Sequence, residues 1–333
     1  MKSVRIHGTR NLQTHVEPVP VAGVGEKLIR VTSVGVCGSD LHWFSEGSIG
    51  DAKLEHPLVL GHEFAGVTEE GQRVAIDPAI PCGHCEFCGQ GHPNLCANLI
   101  FAGHDKTDGA LREWVAWNEK SLFPIPDSIS ADDGAMLEPL GIAIHAVDLG
   151  KIKAGMTVGV FGCGPIGLLI IQMAKVTGAA NIVATDKLAH RVDAAKRFGA
   201  GEIFLVPENY QPGELLTAMN GRGVDVAFEA AGTQAAVDDA FAAVRPGGKV
   251  VLAGIPDDDK TSFSASTARR KGLTIKLVRR MKHTYPRAIE LVAKGLVDVR
   301  SIVTHRFPLE QTREAFQVAE RREGLKIIIA VSE

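Results

Sequence analysis

Residues 157–167 read T-V-G-V-F-G-C-G-P-I-G, a β-rich run that leads directly into the pattern G-x-G-x-x-G and then into an apolar helical stretch. In this context the pattern is typical of dinucleotide binding. Gly162 permits a tight turn, Gly164 lets a pyrophosphate approach the backbone, and Gly167 allows the helix to pack closely on the strand. We expect the phosphates at the positive helix N-terminus. The residues predicted to contact the dinucleotide here are Gly162, Gly164, Pro165, Ile166 and Gly167.

Asp186, which ends the next β-rich run, predicts which dinucleotide binds. It stands nineteen residues after Gly167. A carboxylate there accepts hydrogen bonds from both ribose hydroxyls of NAD and repels the 2′-phosphate of NADP, so we expect NAD. NADP stays open if Asp186 turns away and Lys187 or Arg191 attracts the phosphate. Otherwise these cations flank the adenine or are solvated, and we count Arg191 among the cofactor-binding residues.

The pattern around the glycine motif predicts a doubly wound parallel sheet, because short β-rich runs alternate with helical ones from Thr157 to Leu277. The predicted strands are T-V-G-V-F, N-I-V-A-T, E-I-F-L-V, V-D-V-A-F-E, K-V-V-L-A and L-T-I-K-L. The predicted helices lie over 167–177, 189–198, 213–219 and 233–244. We expect R-P-G-G to close the last of these helices.

The segments before and after this region have a different sequence pattern. Before it, short alternating runs such as K-L-I-R-V-T-S-V, with Gly and Pro between them, predict a bent antiparallel barrel. After about residue 282 the sequence returns to short mixed elements. We therefore predict that residues 1–147 and 282–333 form a catalytic domain, that residues 148–281 form the dinucleotide domain, and that a cleft separates the two lobes.

Composition excludes several classes of function. The chain has 333 residues, of which 45% are hydrophobic and 23% charged, and its net charge of −3 offers no basic surface for nucleic acid. The N-terminus has no apolar signal segment, so we expect a cytoplasmic protein. Residues 156–174 carry no charge and have about the length of a membrane span, but glycines and Pro165 interrupt them. The dinucleotide motif explains this stretch better, and we expect no membrane partner.

Four of the six cysteines lie within fifteen residues, at Cys82, Cys85, Cys88 and Cys96. Thiolates bind Zn²⁺ well, and the intervening glycines let a short segment bring four sulfurs together, so we predict a closed structural zinc site in a lobe over about 80–98. The alternative is a pair of disulfides, which close Cys-x-x-Cys pairs without a secretory signal disfavour. Cys163, inside the glycine motif, is predicted to be a packed side chain without a catalytic role.

A second set of metal-binding side chains remains after these four. Cys37 lies in G-V-C-G-S-D-L-H, and His62 and Glu63 lie in L-G-H-E-F-A-G. Three ligands and an open fourth position are typical of a catalytic zinc. We therefore expect two zinc ions per chain, one structural and one catalytic.

With these motifs in this order, the chain resembles the zinc-dependent medium-chain dehydrogenase/reductase family over essentially its whole length. The resemblance rests on G-H-E, the cysteine cluster, G-C-G-P-I-G and Asp186. It implies a Rossmann domain joined to a GroES-like barrel, and a homotetramer or homodimer. Cys37, His62 and Glu63 resemble the zinc ligands of the polyol dehydrogenases, since no free cysteine remains to complete the site of simple alcohol dehydrogenases. Glu138, in L-E-P-L, matches a second acidic residue that binds substrate or exchanges as a ligand; Glu138 as the true ligand, with Glu63 beside it, stays open.

The resemblance also implies roles for residues near the metal. Ser39 and His42 match a proton relay, with the alternative that His42 is a surface residue near the cofactor ribose. Trp43 stands where polyol dehydrogenases often carry a tyrosine that lines the substrate pocket. Aligning V-R-R-M-K-H-T-Y-P on Thr284 and Pro286 gives the role of binding distal substrate hydroxyls to Arg280.

Two further features follow from the comparison with that family. Ala253, Gly254 and Ile255 match the loop that passes the nicotinamide. The connection after G-H-E is about ten residues shorter than usual, and Glu70-Gly71 is predicted to form a tight hairpin there.

The resemblance therefore implies reversible, zinc- and NAD-dependent oxidation of a secondary alcohol of a polyol to a ketose. The substrate would be a small molecule. Alternatives are an enzyme similar to L-threonine 3-dehydrogenase, another secondary-alcohol or diol dehydrogenase, or a non-catalytic dinucleotide-binding protein. The last would have no need of Cys37 or His62.

Overall fold

The computed structural model describes residues 1–207 and 221–332. The chain divides into two compact units, the first comprising Met1–Pro139 and the segment from Tyr285 onward, and the second Leu140–Thr284. The first division falls earlier than the predicted 147/148 boundary. The reason is that the helix beginning at Leu137 packs within the second unit from Leu140 on; Gly141, for example, lies against Met281.

The N-terminal segment of the first unit consists of short elements joined by tight turns. Its strands are β1 (Lys2–Ile6), β2 (Leu12–Val16), β3 (Glu26–Gly35), β4 (Ser48–Ile49), β5 (Ala52–Lys53), β6 (Leu58–Val59), β7 (Glu63–Thr68), β8 (Arg73–Ile76), β9 (Ala79–Ile80), β10 (Ile100–Phe101), β11 (Trp114–Asn118) and β12 (Leu122–Pro124). Its helices are α1 (Gly38–Glu46), α2 (Glu86–Gly89), α3 (Ala131–Ala135) and the start of α4 (Leu137–Gly150).

The second unit alternates strands and helices, as the sequence predicted. Its elements after α4 are β13 (Thr157–Phe161), α5 (Pro165–Val176), β14 (Asn181–Asp186), α6 (Ala189–Phe198), β15 (Glu202–Leu205), β16 (Val224–Glu229), α7 (Gln234–Ala243), β17 (Val244–Leu252), α8 (Ala265–Lys271) and β18 (Thr274–Leu277). The helix predicted over 213–219 lies outside the described residues.

The C-terminal segment returns to the first unit. It contains α9 (Tyr285–Ala293), β19 (Val303–Pro308), α10 (Thr312–Glu320) and β20 (Lys326–Ala330). Single 3-10 turns occur in this unit at Pro93–Leu95, Glu119–Ser121, Arg300–Ile302 and Leu309–Gln311.

The first unit is built on a mainly antiparallel sheet with β3 near its centre. The strands run in the order β12-β8-β7-β3-β20-β19, and β11 also pairs with β3. The β3 side chains of Ile29, Val31 and Val34 are fully buried in the core of this unit. This arrangement confirms the predicted barrel. Gly35, the last residue of β3, stands opposite Glu63 on β7 and Ile328 on β20, so the beginnings of both neighbouring strands meet at one end of β3.

The second unit contains the predicted doubly wound parallel sheet. Its described strands run in the order β15-β14-β13-β16-β17-β18, and all pairs are parallel. The order reverses direction at β13, whose carboxyl end leads into the glycine motif. In open α/β sheets this switch point is where a dinucleotide binds.

One predicted helix cap in this unit is wrong, although the helix ends within one residue of its predicted end. R-P-G-G does not close helix α7, because those residues belong to β17, which begins at Val244 with an irregular register against β16. The exposed carbonyls at the end of α7 are capped by the Lys271 ammonium, which donates to the carbonyl oxygens of Phe241, Ala242 and Val244 at 3.0, 2.6 and 2.8 Å. A cation at a helix C-terminus stabilises it as a glycine cap would.

The uncharged stretch over residues 156–174 is not one helix but β13, the glycine motif and most of α5. Nowhere in the described ranges, 1–207 and 221–332, is there a helix with the length and apolarity that crossing a membrane requires. The predicted hairpin between β7 and β8 is confirmed: the N–H of Gly71 donates to the carbonyl of Thr68 at 2.9 Å, and Gly71 has φ of 83°. That left-handed conformation favours glycine.

Candidate active site and metal centres

The predicted open metal site is assembled in the first unit at the end of β3. Cys37 is the N-cap of α1, and His62 and Glu63 lie at the start of β7. One ligand atom from each of the three lies within 4.8 Å of the others. His62 is 6% and Glu63 1% exposed, whereas Cys37 is half-buried. Among the described residues, this ligand group does not include Glu138.

Asp40 holds two sides of this site together. Its Oδ2 accepts the N–H of Cys37 at 3.0 Å, and its Oδ1 accepts the N–H of Gly61 at 3.2 Å and lies 3.5 Å from His62 Nδ1. Because a carboxylate offers only acceptors, Nδ1 carries a proton and Nε2 is the atom left to bind a metal. Burial alone would lower the pKa of His62, but Asp40 and the Cys37 thiolate raise it well above its ordinary value. A metal would therefore displace a proton from Nε2.

Lys326 contacts Glu63 from the opposite side. Its Nζ meets Oε2 of Glu63, and both side chains are 2% exposed. Burial alone would lower the pKa of Lys326, but Glu63 and Cys37 raise it, so the ammonium stays charged. Gly35 makes the contact possible, since a Cβ there would lie 2.1 Å from Glu63 Oε2 and 3.0 Å from Lys326 Cε. The Glu63 carboxylate is thus shared between the ligand group and a buried cation.

The two predicted relay residues lie on α1, at unequal distances from the ligand group. Ser39 Oγ is 3.4 Å from His62 Nε2, beside the atom that would bind the metal. His42 lies one turn further along the helix, and its Nδ1 is 3.2 Å from Glu46 Oε1. The structure therefore places the hydroxyl at the site and the imidazole beyond it.

Aromatic rings pack around the ligand group within the first unit. Phe101 lies with its ring centre 5.2 Å from that of His62. Trp43 is only 2% exposed and meets His104 edge-on at 5.7 Å. Trp43 is therefore a packed core residue.

Glu138, the second residue of α4, is a buried acid in the same unit. It is 5% exposed, and burial raises its pKa to about 8. Glu63 and Asp77 also raise this pKa, while His62 and Lys326 lower it. In the metal-free chain Glu138 therefore keeps its proton near neutral pH and can exchange it there.

The four clustered cysteines converge as predicted. Their sulfurs lie within 4.8 Å of one another, and all six cysteines of the chain, which fall within the described residues, are free thiols rather than disulfides. Backbone N–H groups of His84 and Cys85 lower the pKa of Cys82 to about 6. Burial and a hydrogen bond with Cys85 raise the pKa of Cys88 to about 12. Four sulfurs at this spacing fit the tetrahedral shell of a structural Zn²⁺.

The glycine motif of the second unit has the geometry that its three glycines predict. Gly162 has φ of 105°, and a Cβ there would lie 2.7 Å from the nitrogen of Ala231. A Cβ on Gly167 would lie 1.9 Å from the Gly162 carbonyl oxygen, so only glycine fits. Gly164, the N-cap of α5, has the open space that a pyrophosphate would need: a Cβ there would meet only Arg191 Nη1, at 3.6 Å.

Asp186 ends β14 beside this motif. Its Oδ2 accepts the N–H of Cys163 at 2.8 Å, and its Oδ1 accepts the N–H of Leu188 at 2.9 Å. Each oxygen retains lone-pair capacity for a ribose hydroxyl. Cys163 itself is fully buried, and burial raises the pKa of its thiol, as expected of a packed residue. Arg191 lies next to Gly164, on the side where phosphates would lie.

The remaining predicted residues follow the last two strands of the second unit. Ala253, Gly254 and Ile255 follow β17, and the Ile255 side chain is 49% exposed. Arg280 follows β18 in a left-handed conformation with φ of 54°, which is uncommon for a residue with a side chain. Met281 is buried against Gly141, a packing role that the sequence did not predict.

Sequence reasoning did not identify three polar residues of these sites, namely Asp40, Glu229 and Lys326. Asp40 carried a signal, since an acid three residues after a helix N-cap is a capping pattern. Glu229 ends a predicted strand, as Asp186 does, and could have been found by that rule. Lys326 carried no signal, because a lysine before an apolar strand is usually exposed.

Two family models match this chain. One, described as alcohol dehydrogenase GroES-like domain, matches residues 23–127. The other, described as zinc-binding dehydrogenase, matches residues 165–294. The two matches fall on the barrel and on the parallel sheet, respectively.

Curated and solved proteins are similar to this chain over its whole length. A sorbitol dehydrogenase from Bacillus subtilis is 38% identical, covering 99% of this chain and 97% of that protein. The alcohol dehydrogenase TADH from Thermus sp. ATN1 has a TM-score of 0.92 at 28% identity, with 100% of both chains covered. An alcohol dehydrogenase from Escherichia coli CFT073, complexed with NADH, has a TM-score of 0.90 at 28% identity, with 99% of both chains covered.

Proposed function

The chain belongs to the zinc-dependent medium-chain dehydrogenase family, and we propose that it oxidises a secondary alcohol of a polyol to a ketose with NAD, and catalyses the reverse reduction. One observation carries the proposal. Cys37, His62 and Glu63 bring a thiol, an imidazole and a carboxylate within 4.8 Å of one another, while the other cysteine cluster is closed on itself. The relative from Bacillus subtilis, a sorbitol dehydrogenase, supports a polyol as the substrate class.

The residues fit a catalytic Zn²⁺. A thiolate, an imidazole nitrogen and a carboxylate oxygen are ordinary zinc ligands, and three of them leave a fourth position for substrate. The charges of Cys37 and Glu63 would neutralise the ion, and Lys326 beside Glu63 would limit the negative charge at the site. When bound, zinc lowers the pKa of a coordinated hydroxyl and polarises a carbonyl.

The chain's own residues orient the site and move the proton. Asp40 fixes the His62 ring through Nδ1, which keeps Nε2 directed at the ligand position. We propose that Ser39 Oγ, 3.4 Å from Nε2, accepts the substrate proton and passes it toward His42. Glu138, whose pKa burial raises to about 8, is a second acid that can exchange a proton at neutral pH.

We propose NAD rather than NADP because Asp186 faces the glycine motif. Its carboxylate hydrogen-bonds to the backbone on both sides and does not turn away, so a 2′-phosphate would meet its charge. The hydride acceptor would lie with its pyrophosphate on Gly164 and its adenosine ribose on Asp186. We also propose a homodimer or homotetramer, which light scattering would measure.

The test is a panel of substrates followed by NADH absorbance: sorbitol, xylitol, L-threonine, 2,3-butanediol and simple alcohols, each with NAD and with NADP. We expect turnover of a polyol with NAD and loss of at least about a thousandfold in kcat/KM for Cys37→Ala, because the ligand set would be broken. Turnover of L-threonine or the diol alone would overturn the polyol proposal. Absence of any turnover, with only one zinc ion bound per chain, would favour a non-catalytic dinucleotide-binding protein.

A further inference from the structure

Glu229 is a buried acid at the carboxyl end of β16 in the second unit. It is 2% exposed. Burial raises its pKa, and the backbone N–H groups around it partly offset that effect. A carboxyl group is costly to bury, so its hydrogen bonds indicate what it does.

The Glu229 carboxyl group hydrogen-bonds to the backbone of the loops that follow β16 and β17. Oε1 accepts the N–H groups of Ala231 and Gly232 at 2.8 and 2.7 Å, just after β16. Oε2 accepts the N–H of Gly254 at 3.2 Å, after β17. One side chain therefore ties the loop over 230–232 to the loop over 253–255.

The two loops lie so close together that even one added methyl group would push them apart. A Cβ on Gly254 would lie 2.2 Å from the nitrogen of Gly232 and 2.5 Å from Glu229 Oε2. Gly232 has φ of 69°, and a Cβ there would lie 2.3 Å from the Ile255 carbonyl oxygen. On the other side, the loop after β16 abuts Gly162 of the glycine motif. Three adjacent loops thus form one continuous backbone surface.

The position of this surface identifies its ligand. Strand order places β14 on one side of β13 and β16 and β17 on the other. A dinucleotide lies across the switch point with one half on each side. Because Asp186 ends β14, the adenosine half lies on that side. The nicotinamide half must then lie over the loops that follow β16 and β17.

We propose that Glu229 is a positioning residue for the nicotinamide half of the dinucleotide, because its carboxylate fixes the loop over 253–255 against the loop over 230–232. The inference rests on the proposed function only in taking the ligand to be a nicotinamide dinucleotide. Glu229 has no contact with the reacting atoms. It acts by holding backbone groups in the positions that the ring would meet, which reduces the cost of ordering them on binding.

The test compares two ligands that share the adenosine half. NADH and ADP-ribose are titrated into the full-length wild-type chain and into Glu229→Gln, with binding measured by calorimetry. An amide in place of the carboxylate sets an NH₂ against a backbone N–H, so we expect NADH to bind about tenfold more weakly. ADP-ribose lacks nicotinamide, and its affinity should change by less than about twofold. The same selective loss is expected for Gly254→Ala, whose Cβ would press on both the Gly232 nitrogen and Glu229 Oε2 and so would separate the two loops.

Asp225→Asn is the matched control. Asp225 lies on the same strand at its amino end, where its carboxylate accepts the N–H of Thr157 at 2.8 Å and pairs with Arg245 at 2.6 Å. The Asp225→Asn substitution removes a charge comparable to that of Glu229, but far from the two loops. It should therefore leave the affinities for NADH and ADP-ribose unchanged. If Glu229→Gln weakens the binding of NADH and ADP-ribose equally, or weakens neither, the inference about Glu229 is overturned while the proposed function stands. A wild-type chain that binds neither ligand overturns the proposed function and this inference with it.

Discussion

Lys326 and Glu63 form an ion pair in which both side chains are 2% exposed, and Glu63 is at the same time one of three potential ligands of a metal. Gly35 lies opposite Glu63 in the β3–β7 register and leaves room for the pair. Lys326 and a bound metal would each offset the charge of the buried Glu63 carboxylate. Removing one of them therefore makes the chain depend more on the other for its stability. The pair therefore links metal binding to the stability of the barrel.

Substituting Lys326→Met should destabilise the metal-free chain by about 3 kcal/mol, since it leaves the Glu63 carboxylate buried without a cation. Zinc would neutralise that carboxylate, so the zinc-induced rise in Tm should be larger in the variant than in the wild type. Scanning calorimetry with chelated and zinc-loaded protein measures both. Lys294→Met, which breaks a pair that is more than 60% exposed on both sides, is the control and should change little. Equal zinc-induced shifts in Lys326→Met and wild type would contradict the coupling.

Glu138 should make the metal-free chain less stable as pH rises. Its folded pKa is about 8, whereas an unfolded glutamate titrates near 4.5, so the folded state holds the extra proton between these values. Stability from this group is therefore full below about pH 4.5 and falls progressively until about pH 8. The Glu138→Gln variant does not lose stability in this way. Its Tm minus that of the wild type should therefore rise from pH 5 to pH 8. Parallel Tm curves for the two proteins would show that Glu138 is ionised at neutral pH.

Alanine substitutions at Gly167 and Gly164 of the dinucleotide motif should have different effects. Gly167→Ala places a Cβ 1.9 Å from the Gly162 carbonyl oxygen and should lower Tm and abolish NADH binding together. Gly164→Ala meets only Arg191 Nη1 at 3.6 Å, so the fold should keep its Tm while NADH binds at least about tenfold more weakly, because the methyl group obstructs the pyrophosphate. Thermal melts and NADH fluorescence titrations separate the two effects. A Gly164→Ala chain with wild-type affinity would place the pyrophosphate elsewhere.

The two metal centres should be separable by substitution. Cys88→Ala is expected to leave one zinc per chain and to lower Tm markedly, since a closed thiolate shell contributes directly to folding. Cys37→Ala is also expected to leave one zinc, but with a smaller change in Tm and with loss of turnover. Metal analysis by mass spectrometry and calorimetry measures both quantities. If either variant kept two zinc ions, the ligand assignment of that centre would be wrong.

Much of the fold followed from patterns that act locally along the chain. The strand before Gly162 and the helix after it were predictable because the motif has only one backbone solution. Helix α6 was predicted at its observed bounds, Ala189–Phe198. The end of α7 was predicted to within one residue, but its cap was not, because the C-terminal carbonyls are capped by Lys271, a distant residue that no local rule selects.

The sequence by itself determined which residue types could bind metal and dinucleotide, since spacing alone forces the four clustered cysteines together and sets Gly162, Gly164 and Gly167 around one turn. Only the tertiary structure decided which charges surround those groups. Lys326 reaches Glu63 because β20 and β7 both pair with β3, and strand register is not encoded in either segment alone. For the same reason, the partners of Glu229 depend on the loops of neighbouring parallel strands.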